Sequence, residues 1–297
     1  MSVTFLGIGN MGAALVTAFL KHNSKNVTVW NRTSARPEVR KVTEAGAIYQ
    51  PTLEAALASD IIVICVLDYD TIYRILEPIK LSSTALSSKT VINLTNGTPK
   101  QAQEMQAWIK ARGAGCYFDG AVMVTPQLVG TEHSFLIYSG ETEDAYNENV
   151  LEKFKSLGLS LYTGQDIKSA ATDDLAALST MYGMFAGAFA GISLIRKQVG
   201  EDGKVSPSVN RVVVPLMKAL VPYLSLIAET VDKQDWDNNL GNPLGMQVAG
   251  VKNILQAYKE DGVSGNALEG FLKVMQKTVD SKGGDVGAPA ISLYHDE

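Results

Sequence analysis

Gly7, Gly9 and Gly12 stand at GxGxxG spacing, directly after the apolar run Val3–Leu6 and at the head of an amphipathic segment, Met11–Lys21. In that setting the first glycine permits a tight turn, the second lets a pyrophosphate approach the backbone, and the third lets helix and strand pack closely. The free N–H groups and dipole of the helix start favour the phosphate charge. Ile8, Asn10 and Met11 complete the same turn. The pattern is weak alone; its place between a strand, a helix and a second strand makes it a dinucleotide site. About 20 residues on, an NAD-selective site carries Asp or Glu for the ribose hydroxyls. Here the chain reads Asn31-Arg32-Thr33, with Arg36 close behind. A carboxylate would repel a 2′-phosphate, whereas Arg32 pairs with it in a fork and Asn31, Thr33 and Arg36 add donors. NADPH is the cofactor these residues predict. Farther along, Asp174 and Tyr182 are separated by a net helical rotation of about 80°, so both can look toward one cleft. Spacing alone reads Asp174 first as a helix-surface or first-turn acid, because Thr172-Asp173-Asp174 resembles a capping segment.

The elements that must position these groups alternate through the first half. Strands are expected at Val3–Leu6, Val27–Trp30, Ile61–Leu67, Thr90–Leu94, Tyr117–Val122, Ser134–Tyr138 and Leu159–Tyr162. Helices are expected at Met11–Lys21, Pro37–Ala45, Ile72–Ile79, Lys100–Arg112 and Glu143–Leu157. The continuous apolar run at Ile61 suits a parallel strand buried on both faces. Leu67, at its end, is placed with the cofactor contacts. From Asp166 onward helical periodicity takes over. Residues 167–198 read as one long helix of about 45 Å at 1.5 Å per residue, too long to bury in one compact subunit. Its Ala- and Gly-rich middle predicts packing against a second subunit. A break near Gly183 or Gly187 is the alternative, since each Gly weakens a helix by about 1 kcal/mol. Further helices are expected at Ser208–Lys218, Val221–Val231, Pro243–Asp261 and Ala267–Ser281. The fold class is therefore α/β, with an N-terminal Rossmann domain over 1–165, a long interdomain helix, and an all-helical C-terminal domain within 166–297.

Composition narrows the functions. With 297 residues, 46% apolar and 19% charged, the chain is an ordinary globular one. A net charge of -5 offers no broad basic surface, so neither nucleic acid nor an acidic membrane is an expected partner. Cys65 and Cys116 lack CxxC spacing and read as reduced buried thiols, which fits a cytoplasmic protein. His22, His133 and His295 lack metal-ligand spacing, and no metal is expected. No targeting segment is visible, and no stretch reads as apolar for long enough to span a bilayer.

Five motifs in order carry a resemblance: Gly7-Ile8-Gly9-Asn10-Met11-Gly12, Trp30-Asn31-Arg32-Thr33, Ile92-Asn93-Leu94-Thr95-Asn96-Gly97-Thr98-Pro99, Gly130-Thr131-Glu132-His133, and Asp174-Leu175-Ala176-Ala177-Leu178-Ser179-Thr180-Met181-Tyr182-Gly183. Together they resemble the imine reductases, most closely the fungal reductive aminases, a branch of the β-hydroxyacid dehydrogenase superfamily. The resemblance covers essentially the whole chain. It implies NADPH-dependent reduction of imines and iminium ions, with small-molecule ketone and amine substrates, in a homodimer with exchanged helical domains and shared active sites. It implies that Asp174 binds and deprotonates the amine or holds the iminium, that Tyr182 completes the polar wall, and that Asn93 bonds substrate or nicotinamide ribose. Val122, Met123, Val124, Met246 and Gln247 match substrate-side positions, although core packing is an equally good account of Val122, Met123 and Met246. The hydroxyacid enzymes carry Lys where this chain has Asp174. A carboxylate about 4 Å from an iminium favours the cation by about 4 kcal/mol at an effective dielectric near 20, whereas an ammonium would repel it.

Two departures bear on the pocket. The segment Asn210–Met217 has no aromatic residue to close it, and the loop Met123–Gly130 lacks the charges that would anchor a substrate carboxylate. Two other readings stay open: a β-hydroxyacid or carbonyl dehydrogenase, and a non-catalytic NADPH-binding sensor.

Overall fold

The structure is a computed structural model that describes residues 2–22, 26–80 and 83–294. It divides into two compact units, Met1–Leu178 and Ser179–Glu297.

The first unit is built on an eight-stranded sheet. In chain order its elements are β1 Val3–Leu6, α1 Asn10–Leu20, β2 Val27–Trp30, α2 Pro37–Glu44, β3 Ile48–Tyr49, α3 Leu53–Ala56, β4 Ile61–Ile64, α4 Tyr69–Leu76, β5 Thr90–Asn93, α5 Pro99–Lys110, β6 Cys116–Val122, β7 Phe135–Ser139, α6 Glu143–Tyr146 and β8 Leu159–Gly164. The strand order is β3-β2-β1-β4-β5-β6-β7-β8, parallel throughout except for the antiparallel β6–β7 pair. β1, β4 and β5 are buried at every position, as strands covered by helices on both faces must be. One core layer packs Phe5, Val16, Phe19 and Phe118 on one face, and the other packs Leu6, Ile64, Tyr69, Val91 and Met105. The chain leaves β1 toward β2 on one side and returns to β4 on the other. The crevice beyond the carboxyl ends of β1 and β4 is the topological switch point where such sheets bind ligands.

The helical segment expected over Glu143–Leu157 is broken: after α6, residues 147–151 form a π-turn and 155–157 a 3-10 turn, and Gly158, at φ 140°, leads into β8. A side chain at Gly158 would run into the Ser134 backbone. The short β3 and α3, absent from the sequence expectation, carry too few residues to show a period.

α7 runs without interruption from Lys168 to Val199. The alternative break at Gly183 or Gly187 does not occur. The remaining helices are α8 Ser206–Ser208, α9 Val214–Leu220, α10 Tyr223–Asp232, α11 Leu244–Glu260 and α12 Asn266–Lys282, with a π-turn over 209–213 joining α8 to α9. The second unit's core gathers Leu244, Val248, Met275, Val286 and Ile291.

One expectation is corrected here. Lys168–Val199 and Ser206–Asp232 both have the length and composition of bilayer-spanning helices. The reason is visible in α7, where no charge falls between Asp174 and Arg196. Its apolar residues are interleaved with Gly, Ala, Ser and Thr, so the segment does not stand out as a hydrophobic block. Tyr182, Met184 and Phe189 are exposed on this helix, and Gly183, Gly187 and Gly191 have open space at their Cβ positions.

Candidate active site

The glycine turn has the geometry its spacing predicted. Gly7 sits at φ 94°, where a side chain would also overlap the Cys65 carbonyl, and a Cβ on Gly12 would overlap the Gly7 carbonyl. Gly9, the N-cap of α1, has nothing within 4 Å of its Cβ position. Two glycines are thus demanded by the protein itself, and the third leaves open backbone for a ligand. A cleft of about 580 Å³ opens over this turn. Asn10, Met11, Arg32, Thr33, Arg36 and Leu67 line it, with Gly7, Gly9, Gly12 and Asn31. Ile8 is not among these wall residues; its side chain is fully buried in the core.

Asn31 braces the cleft. Its Oδ1 accepts the Ile8 N–H at 2.9 Å, and its Nδ2 donates to the Thr33 carbonyl at 2.8 Å. One side chain therefore locks the glycine turn to the turn that carries Arg32. Arg36 lies 3.3 Å from Glu38. The far wall was not legible in the sequence: Cys65, Val66, Thr71, Arg74 and Ile75 come from the β4–α4 connection and α4. Their signal is the i, i+3, i+4 spacing of Thr71, Arg74 and Ile75, which places them on one helix face. Arg74 donates to the Thr71 hydroxyl at 2.8 Å, so its guanidinium is held at the wall. Burial pushes the Cys65 thiol up to about 12. The fit to a phosphorylated dinucleotide is good: an open glycine backbone, a helix start, and three arginines around one cleft.

The turn after β5 links this cleft to Asp174. The Thr95 hydroxyl accepts the Val66 N–H at 3.2 Å, and Asn96 Nδ2 donates to Asp174 Oδ2 at 2.7 Å. Thr98 then caps α5 in a reciprocal box with Gln101. Asp174 is 6% exposed, and burial raises its carboxyl pKa while the Asn96 bond lowers it. Among the described residues it makes no ion pair. It is not the surface acid that spacing alone favoured.

Asn93 is the last residue of β5. It is fully buried; its Oδ1 accepts the Thr95 N–H at 3.1 Å and its Nδ2 donates to Asp119 at 3.0 Å. Its amide has partners within the protein, and the polar group that reaches Asp174 is Asn96, a residue of the same motif to which the sequence assigned no role. Asp119 was also missed. It is 2% exposed, and burial raises its carboxyl to about 7 against the pull of donors from Tyr69, Asn93 and Tyr117.

The substrate-side residues divide. Val122 and Val124 pack against the core layer of Phe5 and Phe118, whereas Met123 packs on the opposite face with Ala121, Ile137 and Ala170. In the second unit, Tyr182 is 64% exposed with its ring edge-on to Phe185, and Met246 is 60% exposed. Gln247 donates to the Asn242 carbonyl at 2.7 Å. Among the described residues no cluster of three His, Cys, Asp or Glu could hold a metal; His295 lies outside them.

Known proteins resemble this chain in both halves. Residues 2–156 match the family described as the NAD binding domain of 6-phosphogluconate dehydrogenase. Residues 166–293 match the C-terminal domain of the NADPH-dependent reductive aminase-like family. An NADPH-dependent reductive aminase from Aspergillus oryzae is 35% identical over 98% of this chain and 96% of its own length. A reductive aminase from Aspergillus terreus, solved with NADPH and ethyl-5-oxohexanoate, superposes with a TM-score of 0.87 at 34% identity, covering 99% of this chain and 98% of that one. An imine reductase from Myxococcus stipitatus in complex with NADP+ superposes with a TM-score of 0.87 at 26% identity, covering 99% of each chain. With both halves matched and the relationship running along the whole length, this chain belongs to the NADPH-dependent reductive aminase family of oxidoreductases.

Proposed function

We propose that this chain reduces imines and iminium ions to amines with NADPH, and that it couples ketones or aldehydes with small amines. One observation carries the chemistry: Asp174 is a buried carboxylate held by Asn96, with no cation paired to it among the described residues. An uncompensated buried charge is costly, and a cationic substrate removes the cost. An iminium or a protonated amine is such a substrate; a neutral ketone or an anionic hydroxyacid is not.

NADPH, when bound, supplies the hydride that the C=N carbon accepts. The chain's own residues do the rest. Gly7, Gly9, Asn10, Met11 and Gly12 would hold the pyrophosphate at the start of α1, and Arg32, Thr33 and Arg36 would take the 2′-phosphate, while Asn31 keeps both turns in place. Leu67 and Arg74, which line the same cleft, would bear on the adenosine part of the nucleotide. Asp174 accepts the amine proton or steadies the iminium, oriented by Asn96. Tyr182 contributes a hydroxyl, and Met123, Met246 and Gln247 shape the substrate side. Asn93, turned inward, acts as a brace, and Val122 and Val124 support the pocket from the core.

The same reading makes the molecule a cytoplasmic homodimer with exchanged helical domains, divided at 165/166. The glycines spaced every fourth residue along α7, with open Cβ positions, give a second helix room for close approach. The uncharged, exposed stretch of α7 is then covered by a partner subunit rather than by lipid.

The test follows NADPH oxidation with a cyclic imine, then with cyclohexanone in the presence and absence of a small primary amine. Imine-dependent turnover, and ketone turnover that requires the amine, are the expected results. Consumption with the ketone alone would make the chain a carbonyl reductase, and binding of NADPH without turnover would make it a sensor.

A further inference from the structure

Asp119 faces Asn93 in the β5–β6 register and is buried where an apolar side chain would fill the sheet with no desolvation cost. Its Oδ1 accepts three donors: the Tyr69 hydroxyl at 2.6 Å, Asn93 Nδ2 at 3.0 Å and the Tyr117 hydroxyl at 3.1 Å. The Asn93 amide can point only one way, because its oxygen already takes the Thr95 N–H. The Tyr69 ring, anchored by its hydroxyl, lies against Gly97, where any side chain would overlap it. Asp119 thus grips both ends of one turn, Asn93 directly and Gly97 through the Tyr69 ring. Asn96, inside that turn, reaches Asp174.

We infer that Asp119 is a positioning residue for C=N reduction, fixing the Asn93–Gly97 turn so that Asn96 stays on the Asp174 carboxylate; the inference rests on the role proposed for Asp174. The groups that bear on Asp119 are Tyr69 from α4, Asn93 from β5, Tyr117 from β6, and the like charge of Asp174 from α7. Since the Asn96 bond favours ionised Asp174, loss of that bond moves the acid limb of the kcat–pH profile to higher pH.

The experiment compares full-length wild type, Asp119→Ala, Asp119→Asn, Tyr69→Phe and Asp174→Asn in imine reduction, recording kcat against pH and NADPH affinity by fluorescence. Asp119→Ala should lower kcat about tenfold or more, leave NADPH affinity within about twofold, and move the acid limb upward. Asp119→Asn retains an acceptor oxygen and should return both kcat and the limb toward wild type. Tyr69→Phe, which keeps the carboxylate, should move the limb in the same direction by a smaller step, and it decides the matter if Asp119→Ala does not fold. A limb that stays in place in these variants, or an Asp119→Asn as impaired as Asp119→Ala, overturns the inference. A limb that persists in Asp174→Asn removes the Asp174 reading and the inference with it. A limb lost in Asp174→Asn but fixed in Asp119→Ala and Tyr69→Phe overturns the positioning role alone.

Discussion

Replacing Asp119 by Asn should remove a pH dependence of stability that the wild-type chain carries. Burial raises this carboxyl from 3.8 to about 7, so the folded chain binds its proton more tightly than the unfolded chain does. The stability gained this way is complete below the unfolded pKa and is lost as pH rises through about 7. At about pH 5 the group lies below its folded pKa and above its unfolded one, which at roughly 1.4 kcal/mol per unit is on the order of 2–3 kcal/mol of stability absent at about pH 8. At 2% exposure, solvent does little to screen it. Urea unfolding of both proteins at the two pH values, at one protein concentration, isolates the effect, because titrating groups that do not interact with Asp119 cancel in the difference. Wild type should lose on the order of 2–3 kcal/mol more than Asp119→Asn between the two conditions. Equal losses, or a wild type that gains on the variant toward the higher pH, would refute the assignment.

Arg32→Ala should raise the dissociation constant for NADPH about tenfold or more while leaving that for NADH nearly unchanged, checked by fluorescence titration with both nucleotides; equal effects would refute 2′-phosphate recognition. Arg74→Ala, on the opposite wall, should weaken both nucleotides alike by a few-fold, because the adenosine is common to them. Gly12→Ala forces a methyl into the Gly7 carbonyl and should cost about 1–3 kcal/mol in unfolding stability together with most of the NADPH affinity, read by urea unfolding and the same titration. Asp174→Asn should lower turnover at least about tenfold with NADPH affinity retained, measured by NADPH oxidation with a cyclic imine.

The nucleotide half of the site was legible because each of its groups is local. The spacing of Gly7, Gly9 and Gly12 and the missing acid at Asn31-Arg32-Thr33 state their chemistry within a few residues. The long helix was legible by period, and its uncharged length was not, because Ser179, Thr180 and the glycines dilute its hydropathy. The polar network behind the chemistry was invisible for another reason. Asp119 meets Tyr69 and Asn93 only because β6 pairs with β5 and α4 folds over the same edge, and no spacing along the chain announces that. Asn93 and Asn96 share one motif and differ in direction: the turn sends the first into the core and the second to Asp174. Val122 and Val124 pack against one core layer and Met123 against another cluster, a division set by the fold of the sheet and not by their order in the chain.

The Cys65 thiol decides how the cofactor cleft ages. It stands in the cleft wall, yet burial pushes its pKa up to about 12 and so disfavours the thiolate at neutral pH. Peroxide and alkylating reagents attack the thiolate, so the cleft is chemically quiet although a cysteine borders it. Nucleotide binding should therefore survive storage without a thiol reductant. Activity lost to an oxidant points away from this wall, toward exposed methionines such as Met246, whose thioether needs no ionisation to react.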